Sequence, residues 1–155
     1  MKKKIGFIII GLVLVVGVIL LFILGNRSPK RVYLSHKYYH EGERVEVTSK
    51  ELKKLENDTY LLFTYNSYCA FPISCDSIFE EALKSKKIDF MSIPFAEFRK
   101  TDFYKTVEYA PSMMIIQNNK VIAYLDADQE SDVEKYQDVN AFIKWLEKYI
   151  YLEKE

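Results

Sequence analysis

Hydrophobic and polar positions divide the chain into two regimes. From Ile5 to Leu24 no charge interrupts the apolar run, and about 20 such residues are what a helix needs to cross a bilayer. After Leu24 the pattern breaks into short segments of alternating or helical period. A cleavable signal peptide carries a shorter apolar core, about 7–15 residues, followed by a small-residue cleavage site. This run instead ends in "GNRSPKR", with no such site and no lipidatable cysteine. Residues 1–25 therefore read as an uncleaved signal anchor. Lys2, Lys3 and Lys4 before the run favour a cytoplasmic N-terminus, while Arg27, Lys30 and Arg31 on its other flank oppose it. The expectation is a single-pass protein of the cell membrane, held by residues 5–25, with its C-terminal part extracytoplasmic.

Residues 26–43, "NRSPKRVYLSHKYYHEGE", read as a polar and aromatic spacer without firm structure. The domain proper is expected over 44–155. "RVEVTSKELKKLEND" predicts a short strand and a helix, with Thr48 and Glu51 spaced as a capping box. "TYLLFTYN" has the length and composition of a strand. "DSIFEEALKSKK" places Ile78, Phe79, Ala82 and Leu83 at helical spacing. "IDFMSIPF" reads as a strand, and "AEFRKTDFYKTVEY" as helical in part. "SMMIIQ" and "KVIAYLDA" flank Asn118-Asn119, a hairpin signal. "DADQESDVEKYQ" reads as an acidic loop. Asp138 can cap a closing amphipathic helix whose apolar face carries Val139, Phe142, Ile143, Leu146 and Ile150, with Trp145 as a further core residue. Alternating β and α elements followed by a hairpin predict a mixed α/β sheet with helices on both faces.

Charge narrows the function. The chain has 22 basic and 22 acidic side chains. Without the three N-terminal lysines the remainder is slightly acidic, so nothing draws it to nucleic acid. Its two cysteines, Cys69 and Cys75, would sit in an oxidising compartment if the domain is exported. There a disulfide couple is the natural expectation.

The order of elements resembles the thioredoxin-like superfamily over roughly Val45 to Leu152. Two stretches carry the resemblance: "LLFTYNSYC" running into "AFPISCDSIFEEAL", and "EYAPSMMIIQNNKVIAYLDA". In the family a cis-proline precedes the fourth strand and faces the active-site cysteine. Pro111 in Ala110-Pro111-Ser112, 42 positions after Cys69, fits that place. With its single anchor the chain looks like the small membrane-anchored thiol–disulfide oxidoreductases and bacteriocin-accessory proteins of Gram-positive bacteria. It also departs from the family. Pro72 stands where the second cysteine of Cys-x-x-Cys belongs, Tyr68 replaces the usual tryptophan, and "LLFTY" lacks the family's buried acid.

What Cys75 can do depends on where its helix starts. A start at Ala70 would put the two cysteines about 9 Å apart along the axis and on different faces, too far for the roughly 7 Å Cα separation of a disulfide. A start at Pro72, a favoured first helical residue, places Cys75 in the first turn, and this start is preferred. Ser77 and Glu80 as a capping box would leave "CAFPISC" as a closed loop. A redox couple, a fixed staple and an unbonded pair all stay open. Cys69 is the candidate nucleophile, favoured as thiolate by a helix N-terminus, and Cys75 the resolving thiol. Tyr68, Phe71 and Tyr109, with Ala110 and Pro111, are the candidate peptide-binding rim.

Two features read as bland. His36 and His40 are four apart, but no third ligand is evident, and Tyr and Lys suit a membrane interface. The acidic loop lacks a calcium-loop glycine and reads as solvated. No cofactor and no metal is expected. Two functions follow. One is an extracytoplasmic thiol–disulfide oxidoreductase acting on exported protein thiols and disulfides, with a membrane redox partner possible. The other is a redox-inactive thioredoxin-like binding module of a secretion, bacteriocin or conjugation system.

Overall fold

The computed structural model describes residues 29–66 and 74–154. Residues 1–28, the expected anchor, lie outside them. Among the described residues no helix is long and apolar enough to cross a membrane. Arg31 to the C-terminus clusters as one unit.

The apolar runs become five strands: β1 (Arg44–Glu46), β2 (Thr59–Tyr65), β3 (Phe90–Pro94), β4 (Ser112–Gln117) and β5 (Lys120–Tyr124). They form one mixed sheet in the order β1-β3-β2-β4-β5. β3 runs parallel to both β1 and β2, whereas β4 is antiparallel to β2 and to β5. Central β2 reads as a continuous apolar run because both its faces are covered: Tyr60 to Thr64 are all buried. The β4–β5 turn uses the expected asparagines, both at positive φ (48° and 59°).

The helices are α1 (Ser49–Leu52), α2 (Cys75–Ser85), α3 (Phe95–Phe98), α4 (Glu130–Val133) and α5 (Val139–Tyr149). α1 starts with the Thr48–Glu51 capping box, and α5 with Asp138, whose carboxylate accepts from the Ala141 N–H. α2 and α5 pack on the Phe63 face of the sheet. Phe79 is the centre of that layer, with ring centroids 5.2 Å from Phe63, 4.5 Å from Phe142 and 5.5 Å from Tyr136. Phe142, Trp145 and Leu146 are buried on α5, as expected of its apolar face.

Two expectations need correction. The spacer is not without structure. Its described part is a strap across the domain: the Val32 N–H donates to Tyr149 O, and the Val32 carbonyl accepts the Tyr151 N–H in return. Leu34 and Tyr38 are core residues, and Tyr39 bridges to Ile88. The sequence disguised this because each contact is made to a residue far away in the chain. The acidic loop is likewise helical in part, with α4 followed by a 3-10 turn over Glu134–Tyr136. Asp128, Glu130 and Glu134 face water, while Asp126 is buried and Tyr136 goes fully into the core.

Candidate functional site

The C-terminal end of β2, the start of α2 and the turn before β4 meet at one end of the sheet. β2 ends at Tyr65, and Asn66 follows it. α2 begins at Cys75 with Ser74 as N-cap. This replaces the preferred start at Pro72 and excludes Ser77 as a cap, since Ser77 is inside the helix. It keeps Cys75 in the first turn. Residues 67–73, which include Cys69, Tyr68, Phe71 and Pro72, lie outside the described residues. The chain leaves the described structure at Asn66 and rejoins it at Ser74.

The first of these junctions is bonded to the turn before β4, and Tyr136 bonds the same turn beside the start of α2. Asn66 Nδ2 donates to Ala110 O at 3.0 Å. The Ala110–Pro111 peptide is cis, the form the resemblance implied. Pro111 is buried, Ala110 half-buried and Tyr109 48% exposed. The Tyr136 hydroxyl shares its proton between Leu125 O at 2.8 Å and Pro111 O at 3.0 Å. Burial pushes the Tyr136 phenol far above its ordinary pKa, and the nearby Cys75 sulfur acts in the same direction. Tyr136 therefore stays neutral and ties the proline turn to Leu125 just after β5, while its ring packs on Phe79 of α2. Of the expected site residues, Cys75, Ala110 and Pro111 are thus gathered at one place, and Tyr109 stands exposed beside them in the chain.

Cys75 is 1% exposed. Its thiol donates a weak hydrogen bond to Asp76 Oδ1 at 3.8 Å. The other Asp76 oxygen is held by Arg44, which reaches over from β1. Arg44 Nη1 donates to Asp76 Oδ2 and to Glu80 Oε1, both at 3.0 Å. The guanidinium also lies over two rings of β2, 4.8 Å from the Tyr65 centroid and 5.5 Å from that of Phe63. Burial would lower the Arg44 pKa, but the bonds to Asp76 and Glu80 outweigh it and the net direction is up. Tyr65 in turn donates to Glu46 Oε2 at 3.0 Å. Its phenol is raised by burial first and by that bond second.

Sequence reasoning missed Arg44, Asn66, Asp76 and Tyr136. Asp76 had a local signal, an acid in the first turn of a helix carrying a cysteine. Arg44 had none, because β1 and α2 are 30 residues apart and only the sheet order brings them together. A cleft of about 840 Å³ lies between Glu41–Arg44 and Ser77, Glu80, Glu81 and Lys84 of α2, and Cys75 is not among its described lining residues. It touches the thiol site only through Arg44 and Glu80. Among the described residues no cluster of His, Cys, Asp or Glu could hold a metal ion.

Sheet order, parallel and antiparallel pairings and the cis-proline before β4 define a thioredoxin-like α/β domain. Solved thioredoxins resemble it. Oxidised thioredoxin from Plasmodium falciparum is 16% identical with a TM-score of 0.47, the match covering 60% of this chain and 93% of that one. Spinach chloroplast thioredoxin f, long form, is 16% identical with a TM-score of 0.45, covering 70% and 97%. Thioredoxin f2, in a complex with ferredoxin:thioredoxin reductase, is 19% identical with a TM-score of 0.46, covering 68% and 96%. No family model matches the sequence. No curated protein matches it either.

Proposed function

We propose that the chain is a membrane-tethered, extracytoplasmic thiol–disulfide oxidoreductase acting on the disulfides of exported proteins. The observation that carries this reading is the position of Cys75. It opens α2 beside Tyr136, which bonds the Pro111 turn, and Asn66 bonds the same turn from the other junction. In the chain, Cys69 falls between Asn66, which is bonded to that turn, and the start of α2, which lies beside Tyr136. A buried thiol there is suited to resolving rather than attacking.

In the proposed cycle the Cys69 thiolate attacks a substrate disulfide. One S–S bond breaks, a mixed disulfide forms and one substrate thiolate leaves. The deprotonated Cys75 then attacks the Cys69 sulfur. The second substrate sulfur leaves as thiolate and takes up a proton, and the substrate is reduced by two electrons while the Cys69–Cys75 pair is oxidised. The reverse sequence oxidises a substrate dithiol. A membrane redox partner that exchanges thiols would reset the pair. The apolar run at residues 5–24 and its preceding lysines support the tether and the outward orientation.

A second reading, a redox-inactive binding module, is favoured by one observation. Leu61 and Phe63, on the strand where the family carries its buried acid, are fully buried and apolar. One trapping experiment separates the two. Cys75→Ser in cells should accumulate mixed disulfides on Cys69, seen as reductant-sensitive adducts on a non-reducing gel, and Cys75→Ser combined with Cys69→Ser should not. Protease added to intact protoplasts should digest the domain. A lack of adducts from Cys75→Ser favours the binding module; a protected domain overturns the topology.

A further inference from the structure

Arg44 stands outside the thiol chemistry, yet it reaches both sides of the segment that chemistry uses. From edge strand β1 it stacks on Tyr65 at the end of β2. It also binds two carboxylates one turn apart on α2, Asp76 and Glu80. Of the two, Asp76 also bonds Cys75, its Oδ1 accepting from the thiol at 3.8 Å while Oδ2 faces Arg44. The result is a row of thiol, carboxylate and guanidinium. Only 23% of the Arg44 side chain is exposed, so the row is partly shielded from water, where charges act over distance more strongly than in bulk solvent.

We propose that Arg44 is a positioning residue that sets the ionisation of the Cys75 thiol through Asp76. This rests on the reading of Cys75 as a resolving thiol, since its deprotonation is then a step of the cycle. The physical reason is charge. An unpaired Asp76 carboxylate beside the sulfur would oppose a second negative charge there. With Arg44 in place Asp76 is neutralised, and the two carboxylates and one guanidinium sum to a single negative charge. Without it the thiol faces two. From the 3-10 turn Tyr136 also interacts with Cys75, and Asp126 and Asp132 in turn act on Tyr136; its phenol and that of Tyr65 on β2 are both raised. The two-pronged hold on Asp76 and Glu80 also fixes the first turn of α2, so charge and position are supplied by the same side chain.

The test is a direct titration of Cys75 in the full chain, reduced, with Cys69→Ser leaving it the sole thiol. The readout is the ¹³Cβ shift of labelled cysteine from about pH 5 to about pH 11, which does not depend on reagent access to a buried sulfur. Arg44→Gln should raise the midpoint by roughly half to one unit, a three- to tenfold loss of thiolate below it. Arg44→Lys, which keeps the charge, should recover most of that shift. In an Asp76→Asn background, Arg44→Gln should move the midpoint far less, because the carboxylate it screens is gone. If Arg44→Gln does not fold, Asp76→Asn alone still tests the idea by lowering the midpoint. The proposal is overturned if Arg44→Gln leaves the midpoint in place, if its effect is undiminished beside Asp76→Asn, or if Asp76→Asn fails to lower the midpoint. A chain that shows these shifts but traps no mixed disulfide would sink the oxidoreductase reading and leave the Arg44 assignment standing; trapping without the shifts does the reverse.

Discussion

Asp58 shows how a single side chain makes the strap part of the fold. Its carboxylate accepts from Ser35 Oγ and the Tyr38 hydroxyl, both at 3.2 Å, and pairs with Lys37 at 2.6 Å. Ser35 Oγ in turn accepts the Thr59 N–H at the start of β2. Burial pushes the Asp58 pKa up, but Lys37 and the two hydroxyls outweigh it and the net direction is down. A carboxyl depressed in the folded state stabilises the protein fully above its unfolded pKa of about 3.9 and loses that contribution as pH falls through the folded value. Asp58→Asn should therefore cost about 1–2 kcal/mol near neutral pH, a range kept low because the pair is partly exposed. The difference from wild type should shrink as pH falls below the unfolded pKa and through the depressed folded one. Urea unfolding at several pH values measures this, and a cost independent of pH would show that the carboxylate charge is not what holds the strap. None of it was legible in "HKYYH", where the histidines drew attention: His36 is exposed and His40 lies 3.7 Å from Asp89, whereas the tyrosines between them carry the packing.

Among the elements, the parts read correctly were those whose signals are local. Thr48 with Glu51 and Asp138 satisfy backbone groups within three residues, and Asn118 with Asn119 supply the positive φ of a tight turn, so spacing alone reveals them. The start of α2 was misplaced because Pro72 is a sound first helical residue in isolation. The described helix instead begins three residues later, at Cys75, where Arg44 holds Asp76 in its first turn. The approach of the strap to α2 has a local requirement of its own. Gly42 has φ +80°, and a Cβ on it would fall 2.4 Å from Lys84 Cα. Its N–H, with those of Glu41 and Glu43, points at Asp89 Oδ1 at 2.8–3.2 Å. Gly42→Ala must push β1 and α2 apart or break this three-donor cradle. It should cost on the order of 2–4 kcal/mol, combining positive-φ strain with a backbone clash. Equilibrium unfolding is the check, and a loss below about 1 kcal/mol would mean that the contact yields easily.

For the whole molecule, the α/β sheet was readable because β2 and β4 are too apolar to be anything but central strands, and α5 is amphipathic end to end. The site was readable in part. The Ala110–Pro111 bond is cis, the form the resemblance implied, but the groups that contact it and the start of α2 come from β1 and from a segment read as loop. Those links depend on sheet order and cross-domain packing, which no spacing in the chain encodes. The central claim is that Cys69 and Cys75 form a working couple rather than a staple. The direct measurement is the reduction potential of that pair in the full chain, by equilibration against glutathione or dithiothreitol of known ratio. A potential between about −300 and −120 mV, the span of exchanging dithiols, is the expected result. A value below about −300 mV would mark a structural disulfide, and a pair that never closes would leave no couple at all; either result contradicts the oxidoreductase assignment.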